Sequence, residues 1–410
     1  MLRFLAFLAL AFIVACAGDD APPTNDAPPA VDLVEGLDQL QGLSFTNATE
    51  PDAPLRMLKA KSFRHLFKKS KKSNKKGTLR FLAQKKKIYV GAAINQWNLK
   101  KAQYMNTVAR EFSMIVAENE CKMNNIVTPK KQYNYGTCDR ILNVAKKNGQ
   151  EMRFHALVWY RAAPKVLQAE SKAKVAASLK KFCTTVTKRY VAKGVRWFDV
   201  VNEAFADKQP KNSINKPSWR KAWPYTKLPN WAEVSLRAAA KGAGKKRKQT
   251  RLMYNDYGIE SMKGYMKGKS DAVFWMAKTF KKRKIPLDGI GFQTHINMNF
   301  KDFDGVRKNI QRLGKLGYEV QFTEVDVSCG FFNPAGKWIK CKKWTKVQQN
   351  MQANIYKTLM RICLQSPNCT AFVMWGVTDS VTWLNNDHPH IFDRKYKKKP
   401  AYHALTAALK

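Results

Sequence analysis

Acidic residues are scarce in this chain of 410 residues, in which 30 Asp and Glu stand against 74 Lys and Arg. The formal net charge is +44 at pH 7, and such an excess attracts polyanions: nucleic acid, anionic membrane or acidic polysaccharide. Composition does not choose among these partners. Hydrophobic residues make up 45% of the chain and aromatic residues 11%, which is ample for a buried core and excludes wholesale disorder.

Long hydrophobic runs are also scarce. One begins after Arg3 and ends at Val14, and it is too short to cross a bilayer as a helix. Ala15-Cys16-Ala17 follows with the small-x-small form of a signal-peptidase site. We therefore expect residues 1–17 to be a cleaved signal peptide and the protein to be secreted. The alternative is a lipid anchor on Cys16, because the four residues that end there resemble a lipoprotein box.

Cysteine motifs for metal binding are absent. The chain has no CxxC pair and no Cys/His spacing of the zinc type, so neither a structural metal nor a cofactor is expected. Without residues 1–17 the chain has seven cysteines. In an oxidising compartment this odd number predicts disulfides and one unpaired thiol, and the sequence alone does not fix the pairing.

The region before residue 88 has a composition of its own. Residues 18 to about 55 are rich in Pro, Ala, Asp and Thr and are interpreted as a linker. From Arg56 to Lys87 there are 14 Lys or Arg and no acid. Like charges at this density oppose compaction, which favours a disordered arm, and the alternative is a tether to an anionic surface. We therefore predict a linker and Lys-rich arm at 18–87 and one folded domain at 88–410.

From Ile88 onward, short apolar runs alternate with segments typical of helices. Continuous apolar runs suit parallel strands that are buried on both faces. Eight alternations in about 320 residues predict an α/β protein with a (β/α)8 barrel. An open doubly wound sheet is the alternative, but no GxGxxG follows the first run. The predicted strands are 89–94, 113–118, 153–159, 197–203, 251–257, 289–296, 319–326 and 370–379.

Polar residues stand at the C-terminal ends of these runs, where barrel enzymes place their chemistry. Glu203 in WFDVVNEAF and Glu324 in QFTEVDV are the most informative, because a carboxylate in an apolar run is costly to bury unless it is paired or used. Either one alone could be a salt-bridged core residue. Together, on matching strand ends with aromatic residues nearby, they predict a facing pair that cleaves a glycosidic bond.

The same strand ends carry a family resemblance. AENECK, HALVW, WFDVVNEAF, MYNDYGIE, GIGFQTHI, FTEVDV, MWGVTDSVTWL and IFDRKYKKKPAY occur in the family's order between Ile88 and Lys410. The chain thus resembles a family 10 glycoside hydrolase, an endo-β-1,4-xylanase. This resemblance implies a retaining mechanism through a covalent glycosyl-enzyme, with Glu203 as acid/base and Glu324 as nucleophile.

The resemblance also implies roles for other residues. His295 and Asp326 match the imidazole and acid beside the nucleophile, and Asn202 matches the residue that binds the sugar 2-hydroxyl. Asp199 is interpreted as a structural hydrogen-bond partner. The further expected substrate contacts are Glu118, Asn119 and Lys122 on the glycone side, His155, Trp159, Gln293, Trp375 and Trp383 as walls of the cleavage subsite, and Tyr257 as an aglycone platform. Simpler interpretations are a core histidine for His155, a core indole for Trp159 and a surface cation for Lys122.

Some residues depart from the family pattern or extend it. Tyr160 replaces the second His of HTLVWH, and Cys121 and Met123 replace residues of the Met-Lys-Trp segment. These changes affect the expected subsite affinity rather than the chemistry. Fungal members imply a disulfide between Cys363 and Cys369. Cys329 with Cys341, and Cys121 with Cys138, are further possible pairs that would leave Cys183 unpaired.

The expected partner is xylan, bound by a monomer. A related barrel glycosidase acting on another β-glucan is the nearest alternative. A catalytically weak surface-binding protein is the alternative from another class, and it would not need both glutamates. Nucleic-acid binding is not expected of a secreted protein with a sugar-type cleft. The basic arm is instead predicted to adhere to acidic cell-wall polysaccharide, since the family resemblance does not explain the charge.

Overall fold

Parallel strands close into a barrel in the computed structural model, which describes residues 62–70, 75–332, 337–384 and 387–410. The strands are β1 (Tyr89–Ile94), β2 (Met114–Ala117), β3 (Glu151–Phe154), β4 (Val158–Trp159), β5 (Trp197–Asn202), β6 (Arg251–Asp256), β7 (Gly289–Phe292), β8 (His295–Asn297), β9 (Glu319–Ser328), β10 (Phe331–Phe332), β11 (Trp338–Ile339) and β12 (Cys369–Met374). The order around the barrel is β1, β2, β3, β5, β6, β7, β9 and β12, and β12 pairs with β1. All these pairings are parallel, so the predicted (β/α)8 fold is confirmed.

Helices alternate with the strands. They are α1 (Leu79–Lys85), α2 (Ala102–Glu111), α3 (Met123–Ile126), α4 (Gly136–Asn148), α5 (Lys165–Gln168), α6 (Lys172–Ala192), α7 (Trp231–Ala243), α8 (Gly264–Lys282), α9 (Phe303–Lys315), α10 (Lys346–Gln365) and α11 (Pro400–Leu409). Local sequence sets some of their starts. Thr345 and Gln348 form a capping box at α10, and the side chain of Asp302 accepts from Gly305 N–H at α9.

The barrel strands are buried on both faces, as their apolar runs predict. Every residue of β1, β5, β9 and β12 is buried. A small cluster that includes Tyr89, Met114, Trp197 and Met253 lies apart from the main core, which joins the strands to the helices. This double burial fixes the strand ends rigidly, which suits a site built on them.

The predicted boundary at residue 88 is too late. Helix α1 buries Leu79, Leu82 and Ala83 in the main core. Residues 62–70 also have a defined path: Phe63 is 4% exposed, and Lys68 N–H donates to Tyr89 Oη over 2.7 Å. The apolar residues between the lysines therefore anchor this part of the basic segment to the barrel. It is part of the folded unit and not a disordered arm.

The remaining predictions for the leader lie outside the described residues. They concern the signal peptide at 1–17, the linker, the start of the arm up to residue 61, and residues 71–74 within the arm. The barrel unit comprises 59–331 and 339–410, and a second unit of 1–58 and 332–338 consists almost wholly of residues that are not described. Across the described ranges, no helix has the length and apolarity needed to span a membrane.

Three disulfides close short loops. They join Cys121 to Cys138, Cys329 to Cys341, and Cys363 to Cys369. All three pairs are among those considered from the sequence, and Cys183 is the cysteine left unpaired among the described residues. Cys183 is buried, and burial raises the pKa of its thiol to about 12. The thiol is therefore protonated and inert at neutral pH.

Candidate active site

Two glutamates occupy the C-terminal ends of β5 and β9. Glu203 follows directly after β5, and Glu324 lies within the long strand β9. They are only 7% and 4% exposed. Glu203 has a positive φ of 52°, which is unusual for a residue with a side chain, and its N–H donates to Asn255 O over 2.9 Å. Strained backbone of this kind is retained where the surrounding structure fixes it, often at functional sites.

A chain of amides connects the two glutamates. Asn202 Nδ2 and Gln293 Nε2 donate to Glu203 Oε1 over 3.2 and 3.1 Å. Asn255 Nδ2 donates both to Asn202 Oδ1 (2.9 Å) and to Glu324 Oε1 (2.7 Å). Hydrogen bonds through Asn202 on β5 and Asn255 on β6 thus connect the carboxyl group of Glu203 to that of Glu324 on β9. Gln293, the residue directly after β7, adds a further bond to Glu203.

His295 holds Glu324 from the other side. Its Nε2 lies 3.1 Å from Glu324 Oε2, and its Nδ1 lies 2.9 Å from Asp326 Oδ2. Because both acceptors are carboxylates, both ring nitrogens carry a proton and the imidazole is cationic. Burial lowers the pKa of His295, but Asp326 and Glu324 outweigh burial and raise it well above its ordinary value.

The neighbouring histidines and Asn255 stabilise the negative charge on Glu324. Burial raises the pKa of Glu324, whereas attraction from His155 and hydrogen bonds from His295 and Asn255 lower it. The net result is a pKa below the ordinary value, so Glu324 is ionised at neutral pH. An ionised, buried carboxylate of this kind is suited to nucleophilic attack.

His155 is positioned by a buried ion pair. Its Nδ1 donates to Asp199 Oδ2 over 3.1 Å and lies 3.8 Å from Glu324 Oε1. Asp199 in turn accepts from the guanidinium of Arg153. Burial raises the pKa of Asp199, and Arg153 and His155 together lower it below its ordinary value. Asp199 therefore contacts the site through His155, to which it is hydrogen-bonded.

A second polar group lies around the end of β2. Lys122 Nζ donates to Asn119 Oδ1 over 2.8 Å and lies 4.6 Å from the ring centre of Trp159. Glu118 accepts from Asn95 Nδ2 over 2.9 Å. Lys122 is 8% exposed. Burial lowers the pKa of Lys122, and the negative charges of Glu324, Glu118 and Glu203 oppose this lowering. Lys122 is not a surface cation, because it is buried between Asn119 and Trp159.

Aromatic side chains border the histidines. The ring of Trp375 lies 5.2 Å from that of His155 and 6.2 Å from that of His295. Trp383 lies 5.1 Å from His295, and its indole N–H donates to Asp326 Oδ2 over 2.8 Å. Trp383 is 48% exposed, so much of its indole remains open to solvent. Such faces stack on the apolar side of a sugar ring.

Tyr257 belongs to a separate charged cluster. Its hydroxyl donates to Asp207 Oδ1 over 2.7 Å and accepts from Arg220 Nη2 over 3.2 Å. Lys269 Nζ lies 3.5 Å from its ring centre and also pairs with Asp207 and Asp256. One face of the ring is therefore covered by Lys269, and only the other face can act as a platform.

Comparisons with known proteins agree with this geometry. The profile of Glycosyl hydrolase family 10 matches residues 78–408. The chain belongs to glycosyl hydrolase family 10. It is 31% identical to endo-1,4-beta-xylanase B of Thermotoga neapolitana over 80% of this chain and 90% of that protein. It is also 31% identical to endo-1,4-beta-xylanase B of Neocallimastix patriciarum, over 79% of this chain but 34% of that protein.

A solved structure gives the same result. Xylanase 10B from Thermotoga petrophila RKU-1, in complex with xylobiose, matches with a TM-score of 0.71 at 29% identity, covering 81% of this chain and 97% of that one. The family match begins ten residues before the predicted boundary at 88, in agreement with the position of α1.

The family 10 site contains a residue that the sequence analysis did not place in it. Asn255 lies within the MYNDYGIE stretch, but nothing in that stretch indicates a bond to Glu324. Asn95 is a second such residue, because nothing in the sequence around it indicates contact with Glu118. The predicted residues fall into three groups: those around Glu203 and Glu324, those around Lys122, and Tyr257 with its charged cluster. In the described ranges, no three His, Cys, Asp or Glu side chains are grouped as metal ligands would be.

Proposed function

We propose that this family 10 chain is an endo-1,4-β-xylanase that cleaves internal bonds of xylan with retention of configuration. The observation that supports the proposal is that the carboxyl groups of the two glutamates have different hydrogen-bond donors. Glu324 accepts from the cationic His295, whereas the donors to the Glu203 carboxyl among the described residues are the amides of Asn202 and Gln293. This difference suits one ionised nucleophile and one proton donor.

The proposed first step forms the glycosyl-enzyme. Glu324 attacks the anomeric carbon while Glu203 gives its proton to the departing glycosidic oxygen, and the bond between that carbon and oxygen breaks. In the second step Glu203 takes a proton from water, the water oxygen bonds to the anomeric carbon, and Glu324 is released. We propose that Asn202 binds the 2-hydroxyl, a contact that strengthens as positive charge develops on the ring.

The choice of xylan is supported by the relatives. Those described above are named as xylanases, and one was solved with xylobiose. The open indole of Trp383 and the half-buried rings of Trp159 and Trp375 supply stacking faces for a chain of pyranose rings. Another β-1,4-glucan is the alternative substrate.

Product analysis tests the substrate and the stereochemistry together. We expect short β-xylo-oligosaccharides from glucuronoxylan and arabinoxylan, and little release from cellulose. Proton NMR of the first-formed product should give the β-anomer, since a retaining reaction preserves configuration. Faster cleavage of cellulose would replace xylan as the substrate, and an α-anomer would exclude retention.

Two substitutions test the division of roles. Glu324→Ala should abolish turnover, and added azide should restore cleavage with inverted configuration. Glu203→Gln should preserve cleavage of aryl glycosides with good leaving groups, because only a poor leaving group needs the acid. If Glu203→Gln loses both kinds of substrate equally, the roles assigned here are wrong.

We also propose that the enzyme is secreted and acts as a monomer. The signal-like segment at 1–17 and three disulfides support an oxidising compartment. Adhesion of the basic leader to acidic cell-wall polysaccharide remains part of the proposal. Its test is replacement of the exposed Lys68, Lys69, Lys75 and Lys76 by Gln, because a deletion to residue 87 would also remove α1 from the core. Fractionation of the culture and light scattering test secretion and the monomer.

A further inference from the structure

The barrel itself carries most of the charge. Residues 88–410 contain 59 Lys and Arg against 22 Asp and Glu. In the described part of that range, the exposed acidic residues are Asp207 and Asp304, and the other acids are buried or half-buried. Asp207 is bonded to Arg220, and Asp304 pairs with Lys308. The cationic surface therefore belongs to the catalytic unit and does not depend on the leader.

One part of this surface is continuous. Lysines are exposed in three turns, each taken together with the last residue of the helix before it, that precede β6, β7 and β9, which are neighbours in the barrel. We call them the rim arc: Lys245, Lys246, Lys248, Lys282, Lys284 and Lys315. No member forms an ion pair with any residue in the described ranges. Because all barrel strands are parallel, the rim arc lies at the end of the barrel opposite Glu203 and Glu324.

Contacts join the three turns into one surface. Arg247 pairs with Asp288 over 2.8 Å, which links the turn before β6 to the turn before β7. Arg237 Nη2 donates to Arg283 O over 3.4 Å. Lys281 Nζ donates to Leu316 O, which links the second turn to the third.

The acidic residues near the rim arc already form ion pairs with arginines. Asp288 lies against Arg247 and Arg251, and Glu233 forms ion pairs with Arg237 and Arg283. A single cation near each helix end would offset the helix dipole. The rim arc contains more cations than the helix dipoles need, because Lys245, Lys246 and Lys248 all precede the single strand β6.

We propose that the rim arc binds an acidic polysaccharide through its uronate carboxylates and holds the enzyme on the wall with its cleft facing away. This rests on the proposed function, which makes an uronate-bearing polymer such as glucuronoxylan the neighbour of the substrate. Large apolar side chains that are exposed in the described residues are Trp97, Ile214, Tyr265, Val347, Met351 and Trp383, and none lies in the rim arc. Proteins that hold single-stranded nucleic acid combine a basic groove with stacking faces, whereas the rim arc consists of lysines, which suits a carboxylated polymer.

The test compares two full-length variants of equal charge. In the first, all six rim-arc lysines become Gln. In the second, six exposed lysines elsewhere become Gln: Lys130, Lys172, Lys174, Lys180, Lys181 and Lys346. Binding to immobilised polygalacturonate, which is not a xylan, is measured at low salt and at about 0.15 M salt.

We expect the rim-arc variant to bind polygalacturonate on the order of tenfold more weakly at low salt, the combined effect of six exposed ion pairs. The matched variant should change by less than about threefold, and both should keep wild-type turnover of neutral xylo-oligosaccharides. Equal losses in the two variants would overturn the proposal. It would also be overturned if the rim arc bound a single-stranded DNA oligonucleotide more tightly than it binds polygalacturonate. If turnover is absent from the wild type while rim-arc binding persists, the proposed function fails and this inference stands.

Discussion

Asn255 donates a hydrogen bond of 2.7 Å to Glu324 Oε1, and it also donates to Asn202 Oδ1. Its own Oδ1 accepts from Thr323 Oγ1 over 2.6 Å, which fixes which end of the amide faces Glu324. Asn202 continues the chain to Glu203. The orientation of one buried amide therefore contributes to the charge state of the nucleophile and to the position of the acid.

Asn255→Ala should lower kcat on the order of 100-fold, the usual cost of removing one donor that supports charge at a reacting centre. It should also raise the pKa of Glu324, because a hydrogen bond to the charged form is lost. Glu324 must be ionised to attack. The acidic limb of the kcat/KM profile should therefore move to higher pH, which rate measurements across pH will check.

Thr323→Val is the matched variant for this prediction. It keeps Asn255 but removes the hydroxyl that orients its amide, so we expect a smaller shift of the acidic limb in the same direction. A lower kcat with an unchanged acidic limb in Asn255→Ala would mean that Asn255 serves packing or substrate binding and not the charge of Glu324.

His295 should make stability depend on pH. Its folded pKa is raised, so its stabilising effect is complete below the unfolded value of about 6.5 and is lost as pH rises through the folded value. Glu324, whose folded pKa is lowered, contributes above its unfolded value of about 4.3 and loses that contribution at lower pH. Asp326→Asn should therefore lower the melting temperature most near pH 6 and progressively less at alkaline pH.

Thermal unfolding across this range, with His403→Gln as control, measures the effect. His403 is exposed at the C-terminal helix, and its loss should leave the profile unchanged. If Asp326→Asn lowers the melting temperature equally at all pH values, Asp326 acts through packing and Trp383, and the charge of His295 contributes nothing.

Local pattern predicted the barrel and the positions of the two glutamates, whereas the roles expected of the residues around them came from the family resemblance. Runs such as WFDVVNEAF and QFTEVDV contain both the strand and the residue at its end, so Glu203 and Glu324 were placed by position alone. The contact from Asn255 could not be predicted in this way. It depends on the register of β6 against β5, where Asn202 and Asn255 are paired, and register is set by neighbouring strands.

The boundary of the folded unit was predicted wrongly for a related reason. Charge density dominates residues 56–87, and apolar residues there are isolated, so no periodic pattern marks a packed segment. Phe63 and Leu79 are buried only because the barrel provides surfaces for them at distant positions. Tertiary contacts of this kind override what local composition favours.

Phe63 should therefore stabilise the barrel although it lies in the basic segment. It is 4% exposed, the Arg251 guanidinium lies 5.0 Å from its ring centre, and its N–H donates to Pro367 O. Phe63→Ala should lower the free energy of unfolding by about 3 kcal/mol. His65→Ala, at an exposed site two residues away, should have little effect. Equal small changes in denaturant titrations of both variants would mean that residues 62–70 contribute no stability.

Lys269 provides the sharpest contrast between a buried and an exposed charge on one helix. Its side chain is 3% exposed and lies 2.9 Å from Asp256, whereas Lys267 pairs with Asp271 at 57% exposure. Burial raises the pKa of Asp256 to about 6 even though Lys269 opposes the shift. Lys269→Met leaves Asp256 without its cation and should lower the free energy of unfolding by about 3 kcal/mol at pH 7.

The loss should be smaller at pH 5, because Asp256 can then bind a proton and no charge remains buried. Lys267→Met should cost less than about 1 kcal/mol at either pH, as expected for an exposed pair. Urea titrations of both variants at the two pH values measure this difference. A loss in Lys269→Met that does not depend on pH would show that Lys269 stabilises through its aliphatic stem and its contact with Tyr257, and that Asp256 does not need the positive charge.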